Sequence, residues 1–169
     1  MKKTYYILIL ILVFLLCSCT APKDAGGFGE KDLIFAYNGE SYPLDSDAEP
    51  LLDVLGESYE MTEAVSCMFE GMDRTFEYED AIITTYPAGD KNLMDEIVLM
   101  SDRFSTSRGI TVGSAKQDVI AAYGEGYTDD GMVLTYKLDP EDMFSPQLYF
   151  AFRDDKVASF SFYNPTDPN

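Results

Sequence analysis

Two short helix patterns lie 68 residues apart in this chain, each followed by strand-like runs in the same order. Pro50-Leu51-Leu52-Asp53-Val54-Leu55-Gly56 superposes on Asp118-Val119-Ile120-Ala121-Ala122-Tyr123-Gly124, apolar on one side and stopped by glycine in both copies. The same shift brings Glu57-Ser58-Tyr59 onto Glu125-Gly126-Tyr127. Asp47 reads as the N-cap of the first helix, with Pro50 inside its first turn. The second helix begins in a capping box, Ser114-Ala115-Lys116-Gln117. Strand candidates pair as 64–71 with 132–139, 75–86 with 147–152, and 95–101 with 156–163. Each half is therefore expected to be one short helix plus three strands, as pseudo-repeats over 44–101 and 112–163. Ahead of them, Leu33-Ile34-Phe35-Ala36-Tyr37 runs into Asn38-Gly39. That pair signals a hairpin, because both central positions of a type I′ turn need positive φ. One domain over 32–163 is expected, with 164–169 as a loose tail.

The chain opens with a targeting signal. Met1-Lys2-Lys3 precedes an apolar run from Tyr5 to Leu16 and then Cys17-Ser18-Cys19. The run is short of the about 20 apolar residues that a membrane span needs. Leu16-Cys17-Ser18-Cys19 resembles a bacterial lipobox. The resemblance implies that residues 1–18 are removed and that Cys19, diacylated on sulfur, becomes the first mature residue. Two acyl chains anchor stably where one gives only reversible attachment. Residues 20–31 (TAPKDAGGFGEK) read as a flexible tether spanning about 17–21 Å. The protein is expected on the extracytoplasmic face of the cell membrane. An outer-membrane destination stays open where the cell has such a membrane, since Thr20 is not the Asp that marks inner-membrane retention.

Composition closes several function classes. With no His, there is no His-based triad, metal ligand or general base. Thirty acidic against 12 basic side chains give −18, and loss of Lys2 and Lys3 with the signal deepens this to −20. Such a chain does not grip a nucleic-acid backbone, and an anionic lipid surface repels it. Of three Cys, Cys17 is removed and Cys19 lipidated, which leaves Cys67 without an intrachain partner. Cys67 is expected as a buried, inert thiol in a strand. Acidic clusters at Asp45/Asp47/Glu49, Asp129/Asp130, Asp139/Glu141/Asp142 and Asp154/Asp155 fit solvated turns; none has the spacing of a twelve-residue calcium loop.

Gly109-Ile110-Thr111-Val112-Gly113-Ser114, then Lys116, Asp118-Val119-Ile120 and Tyr123-Gly124, resembles the run leading into a helix in small bacterial lipoproteins. Those proteins are similar to the BamE (SmpA/OmlA) family and to the β-lactamase-inhibitor-protein fold. Ser66-Cys67-Met68-Phe69-Glu70-Gly71 through Tyr86-Pro87 also resembles uncharacterised lipoproteins of Gram-positive bacteria. The resemblance covers roughly residues 44–163. It implies an α+β fold with short helices packed on one face of a curved antiparallel sheet, no enzymatic activity, and relatives that bind proteins. Residues that grip a β-lactamase are not recognisable here, so that activity is not carried over.

No catalytic constellation is found: no Gly-x-Ser-x-Gly elbow, Walker loop, Cys-x-x-Cys or zinc ligand set. No catalytic residue, metal or cofactor is expected. In 147–152, Leu148, Phe150 and Phe152 share one face, with Gln147, Tyr149 and Ala151 on the other. In 157–163, Val157, Ser159, Ser161 and Tyr163 oppose Ala158, Phe160 and Phe162. Alternation thus predicts a half-exposed sheet face bearing Tyr149 and Tyr163. Tyr gives a large contact area with a polar tip at low entropic cost, which suits a protein partner. The expected function is a lipid-anchored, non-catalytic binding or envelope-assembly module with an envelope protein as partner. The alternative is a small-ligand or calcium-binding lipoprotein using acidic turns. A third class, a hydrolase, would need one concave pocket holding two carboxyls with raised pKa.

Overall fold

The computed structural model describes residues 27–165. Residues 1–18, expected as a signal segment, Cys19 and residues 166–169 of the expected tail therefore lie outside the described residues. Strands β1 (Ile34–Tyr37) and β2 (Glu40–Pro43) form the hairpin, with Asn38 at φ 53° and Gly39 at φ 86° as that turn requires. Helix α1 (Glu49–Leu55) leads into β3 (Glu60–Val65), β4 (Met72–Glu77), β5 (Ala81–Ala88) and β6 (Lys91–Leu99). Helix α2 (Lys116–Tyr123) leads into β7 (Thr128–Asp129), β8 (Val133–Lys137), β9 (Gln147–Arg153) and β10 (Lys156–Tyr163). These eight strands make one antiparallel sheet in the order β3-β4-β5-β6-β10-β9-β8-β7. Two four-stranded meanders are thus joined where β6 pairs with β10, Phe160 opposite Leu99.

This architecture corrects the expected α+β class with helices packed as a layer on the sheet. The protein is mostly sheet, with ten strands and two α-helices among the described residues. Eight strands about 4.8 Å apart span about 34 Å, whereas helices of seven and eight residues are about 10–12 Å long. Two such helices cannot cover that sheet. The apolar face is closed by a mixed cover instead. Leu51 comes from α1, Val119 and Tyr123 from α2, Phe35 and Tyr42 from the hairpin, and Phe104 and Ile110 from the loop after β6. Beneath them lie Ile83, Met94, Ile97, Leu99, Leu148, Phe150, Phe160 and Phe162, all essentially inaccessible. The unit of helix plus three strands is corrected as well, because each helix is followed by four. The missed strand β3 is exposed at all six positions, so it carries no buried alternation to betray it.

Local chemistry shifts several boundaries. Asp47 Oδ1 accepts the Glu49 N–H at 3.3 Å, yet the α1 cap is Ala48. At α2 the Asp118 carboxylate, not Gln117, reaches back to the Ala115 N–H, at 3.2 Å. Residues 66–71 turn instead of extending β3. Ser66 Oγ accepts the N–H groups of Met68 and Phe69, and Cys67 is exposed there, which corrects the expected buried thiol. Packing also begins before residue 32, since Phe28 lies 5.8 Å from the Tyr136 ring.

The repeated Gly-Glu-x-Tyr segments have matching roles. The Tyr78 hydroxyl donates to the Gly56 carbonyl and that of Tyr136 to the Gly124 carbonyl, both at 3.0 Å. Tyr59 meets Tyr78 at 5.3 Å and Tyr127 meets Tyr136 at 5.7 Å, both near edge-on. Each helix C-terminus is thereby tied to the sheet by a tyrosine pair. Tyr78→Phe and Tyr136→Phe should each lower stability by about 1 kcal/mol, the net worth of one such hydrogen bond. The check is a shift in the urea midpoint at unchanged slope.

Candidate functional site

The face of the sheet that the described residues leave uncovered owes its chemistry to a bulge in β6. Thr84 pairs with Glu96 and Thr85 with Met94, so Asp95 is the extra residue. Met94 and Ile97 both enter the core, which leaves Asp95 and Glu96 together on the open face. A second irregularity between Val157 and Ser159 does the reverse in β10. It sends Val157 into the core beside Phe160 and Phe162, where simple alternation had placed it with Tyr163.

Register then defines the face. One row of cross-strand neighbours reads Thr62, Thr75, Thr84, Glu96, Tyr163, Gln147, Lys137. The next reads Glu77, Ile82, Val98, Ser161, Tyr149, Thr135. Tyr149 and Tyr163 come together at the centre, both half-buried, with ring centroids 6.1 Å apart and planes at 33°. Further along, Tyr86 donates to Asp45 Oδ1 at 3.0 Å, and Asn164 donates to the other oxygen of Asp45.

The electrostatics of this face are unbalanced. Burial pushes the Asp95 carboxyl above the usual range, against the pull of the hydrogen bond that Thr84 donates. Burial raises Glu96 too; the Ser161 hydrogen bond lowers it and the Asp95 charge raises it. Tyr149 is raised by burial, then by Tyr163 and Glu96, and Tyr163 by burial, then by Asp95 and Glu96. Tyr86 is pushed up to about 12, by burial first and then by Asp45. Among the described residues, ion pairs engage Glu63, Asp47, Asp80, Asp32 and Asp129, and none reaches Asp95 or Glu96.

A carboxyl whose folded pKa lies above its unfolded one penalises the fold once both are ionised, and ceases to do so below the unfolded value. Wild-type stability should therefore gain from Asp95 as pH falls toward the ordinary carboxylate range. Asp95→Asn is expected to melt higher than wild type at neutral pH, with the difference closing near pH about 4. Melting curves across that range check it; a lower melting temperature at neutral pH would mean that the Thr84 bond outweighs burial.

The acidic turns are put to local use. Asp129, Asp130, Asp139 and Asp142 each accept a backbone N–H two or three residues on, at 2.8–3.0 Å. Asp154 and Asp155 hold positive φ in the β9–β10 turn. Among the described residues, no three carboxylate or thiol groups gather as a metal site. Glu96 borders a shallow hollow of about 280 Å³ beside Tyr149, while Asp95 borders a different one of about 180 Å³. Sequence reasoning placed Tyr149 and Tyr163 on the face opposite the core but did not single out Asp95, Glu96 or Tyr86 beside them. A signal was available in Met94-Asp95-Glu96-Ile97, where apolar residues three apart inside a strand announce a bulge. No helix among the described residues is long and apolar enough to cross a membrane.

Set against protein-family models, curated proteins and solved structures, the chain matches none.

Proposed function

We propose that this chain is a lipid-anchored, extracytoplasmic, non-catalytic module that binds a protein of the cell envelope through the open face of its sheet. The observation that carries this reading is the pair Tyr149 and Tyr163, half-buried side by side among Ser161, Val98 and Glu96 on an uncovered face. Tyrosines so placed offer wide, stiff contact area, and the partly desolvated carboxylates beside them select against acidic partners. The lipobox-like Leu16-Cys17-Ser18-Cys19 supports the anchor, and the likeness of residues 109–124 to BamE-type lipoproteins belongs to the same proposal.

A photo-reactive residue at 149 or 163 in living cells tests it, with exposed Val54 on α1 as the control position. One dominant protein adduct from 149 and 163, missing from 54, supports the proposal and delivers the partner for mass spectrometry. Equal labelling from all three positions, or no adduct from folded and lipidated protein, sinks it.

A further inference from the structure

One edge of the eight-stranded sheet stays open over a full strand. The sheet ends on one side in β7, two residues long, and on the other in β3, six residues long and exposed throughout. The register of β3 against β4 runs unbroken from Glu60 to Val65, with no bulge, proline or lysine of the kind that blunts an edge.

The turns on either side of β4 fix which groups of β3 face outward. The Ser66 N–H donates to the Gly71 carbonyl, so antiparallel alternation makes Ala64, Thr62 and Glu60 the residues bonded to β4. The Tyr78 N–H donates to the Ala81 carbonyl, which turns Phe76 and Arg74 toward β5 and leaves Glu77, Thr75 and Asp73 to β3. Both turns give the same answer. The N–H and C=O groups of Met61, Glu63 and Val65 point away from the sheet, and nothing among the described residues bonds to them.

Side chains at this edge define the strand that would add to it. Met61 and Val65 are 49% and 75% exposed, two apolar groups flanking Glu63 on one side of the strand. On the other side Glu60 stands directly opposite Glu77, a like-charge pair that no ion pair relieves among the described residues. A second copy is a poor occupant. Two-fold antiparallel pairing through Met61, Glu63 and Val65 would set Glu63 opposite Glu63 of the copy, between chains of net charge −18. A basic strand meets neither obstacle.

We propose that β3 accepts an extended, basic segment of another protein as an added antiparallel strand. Apolar residues of that segment lie opposite Val65 and Met61, and Lys or Arg lies opposite Glu63 and Glu60. Backbone pairing supplies the bonds, and the alternating side chains supply the selectivity. This surface is the edge of the sheet and does not rest on the open-face reading.

Calorimetric titration of the purified protein with acetyl-Ile-Thr-Lys-Thr-Ile-Lys-amide tests this, in about 0.15 M salt to screen the diffuse attraction of an acidic chain. Saturable binding is expected. Methylating the backbone nitrogens of the first lysine and the second isoleucine, which face β3 in this pairing, should weaken it at least about tenfold. Methylating those of the two threonines, which face away, should leave it within about threefold, an outcome that charge attraction alone cannot imitate. Glutamate in place of both peptide lysines should weaken binding at least about tenfold, as should Glu63→Lys in the protein. The methylated peptides are read on the wild-type chain, which covers a variant that misfolds. Equal binding of the two methylated peptides overturns the proposal. So does the lack of saturable binding up to about 1 mM, including the case of an edge already held by a second copy. The peptide needs no envelope partner, so failure here leaves the crosslinking result standing.

Discussion

Replacing Arg108 by Ala is expected to destabilise the domain by about 3–5 kcal/mol, the range for breaking a largely buried ion pair. Arg108 donates to both oxygens of Asp32, at 2.7 and 2.6 Å, and Asp32 is only 5% exposed. The same guanidinium donates to the Ala122 carbonyl at 2.7 Å and the Gly27 carbonyl at 3.2 Å, and lies 4.9 Å from the centre of the Tyr123 ring. It therefore ties Gly27 and Asp32 to the end of α2. Without it, the Asp32 carboxylate keeps, among the described residues, the Gly29 N–H and the Ser107 hydroxyl. Lysine should rescue little, because a point ammonium cannot reproduce a forked contact that reaches Asp32 together with two backbone carbonyls. Arg74→Ala supplies the contrast. Its pair with Glu63 is 36% and 44% exposed, so a loss below about 1 kcal/mol is expected. Urea unfolding of the three variants decides the matter. Equal losses for Arg108→Ala and Arg74→Ala would reduce the Asp32 contact to an ordinary surface pair.

Cys19→Ala is expected to have the largest cellular effect, moving the protein from the membrane fraction to the soluble extracytoplasmic fraction. If Cys19 is the lipidated residue, two acyl chains are lost together, each stabilising attachment by about 0.8 kcal/mol per buried CH₂. Nothing in the net charge of the chain replaces them, since an acidic domain is repelled by anionic lipid. Fractionation with and without a high-salt wash gives the readout. Wild type should stay with the membrane through the wash, whereas the variant should be soluble before it. Retention of the variant would mean that residues 1–18 persist as the anchor.

Much of the local structure was legible because its causes are local. Asn38-Gly39 specified its hairpin through positive φ at both positions. Gly56 and Gly124 stopped the helices, and period-two alternation in β9 placed Leu148 and Phe150 inward with Tyr149 outward. That is how Tyr149 could be set on an uncovered face before any fold was known. Where alternation failed, a partner strand was the reason. The bulge at Asp95 exists relative to β5, and the irregularity near Ala158 exists relative to β9. Asp95 and Glu96 therefore became neighbours of Tyr163 only through pairings that their own segment does not encode.

The amino-acid sequence by itself determined the turns, the helix stops, the inward and outward sets of most strands and the acidic charge. Each depends on backbone conformations or side chains within a few residues. Only the tertiary structure decided that β6 would join β10, and that a hairpin, a loop and two short helices would share the covering of one face. It also decided that Phe69 would lie on Tyr86. Those outcomes rest on contacts between segments far apart in the chain, where burial of the whole set, not the preference of any one stretch, selects the arrangement.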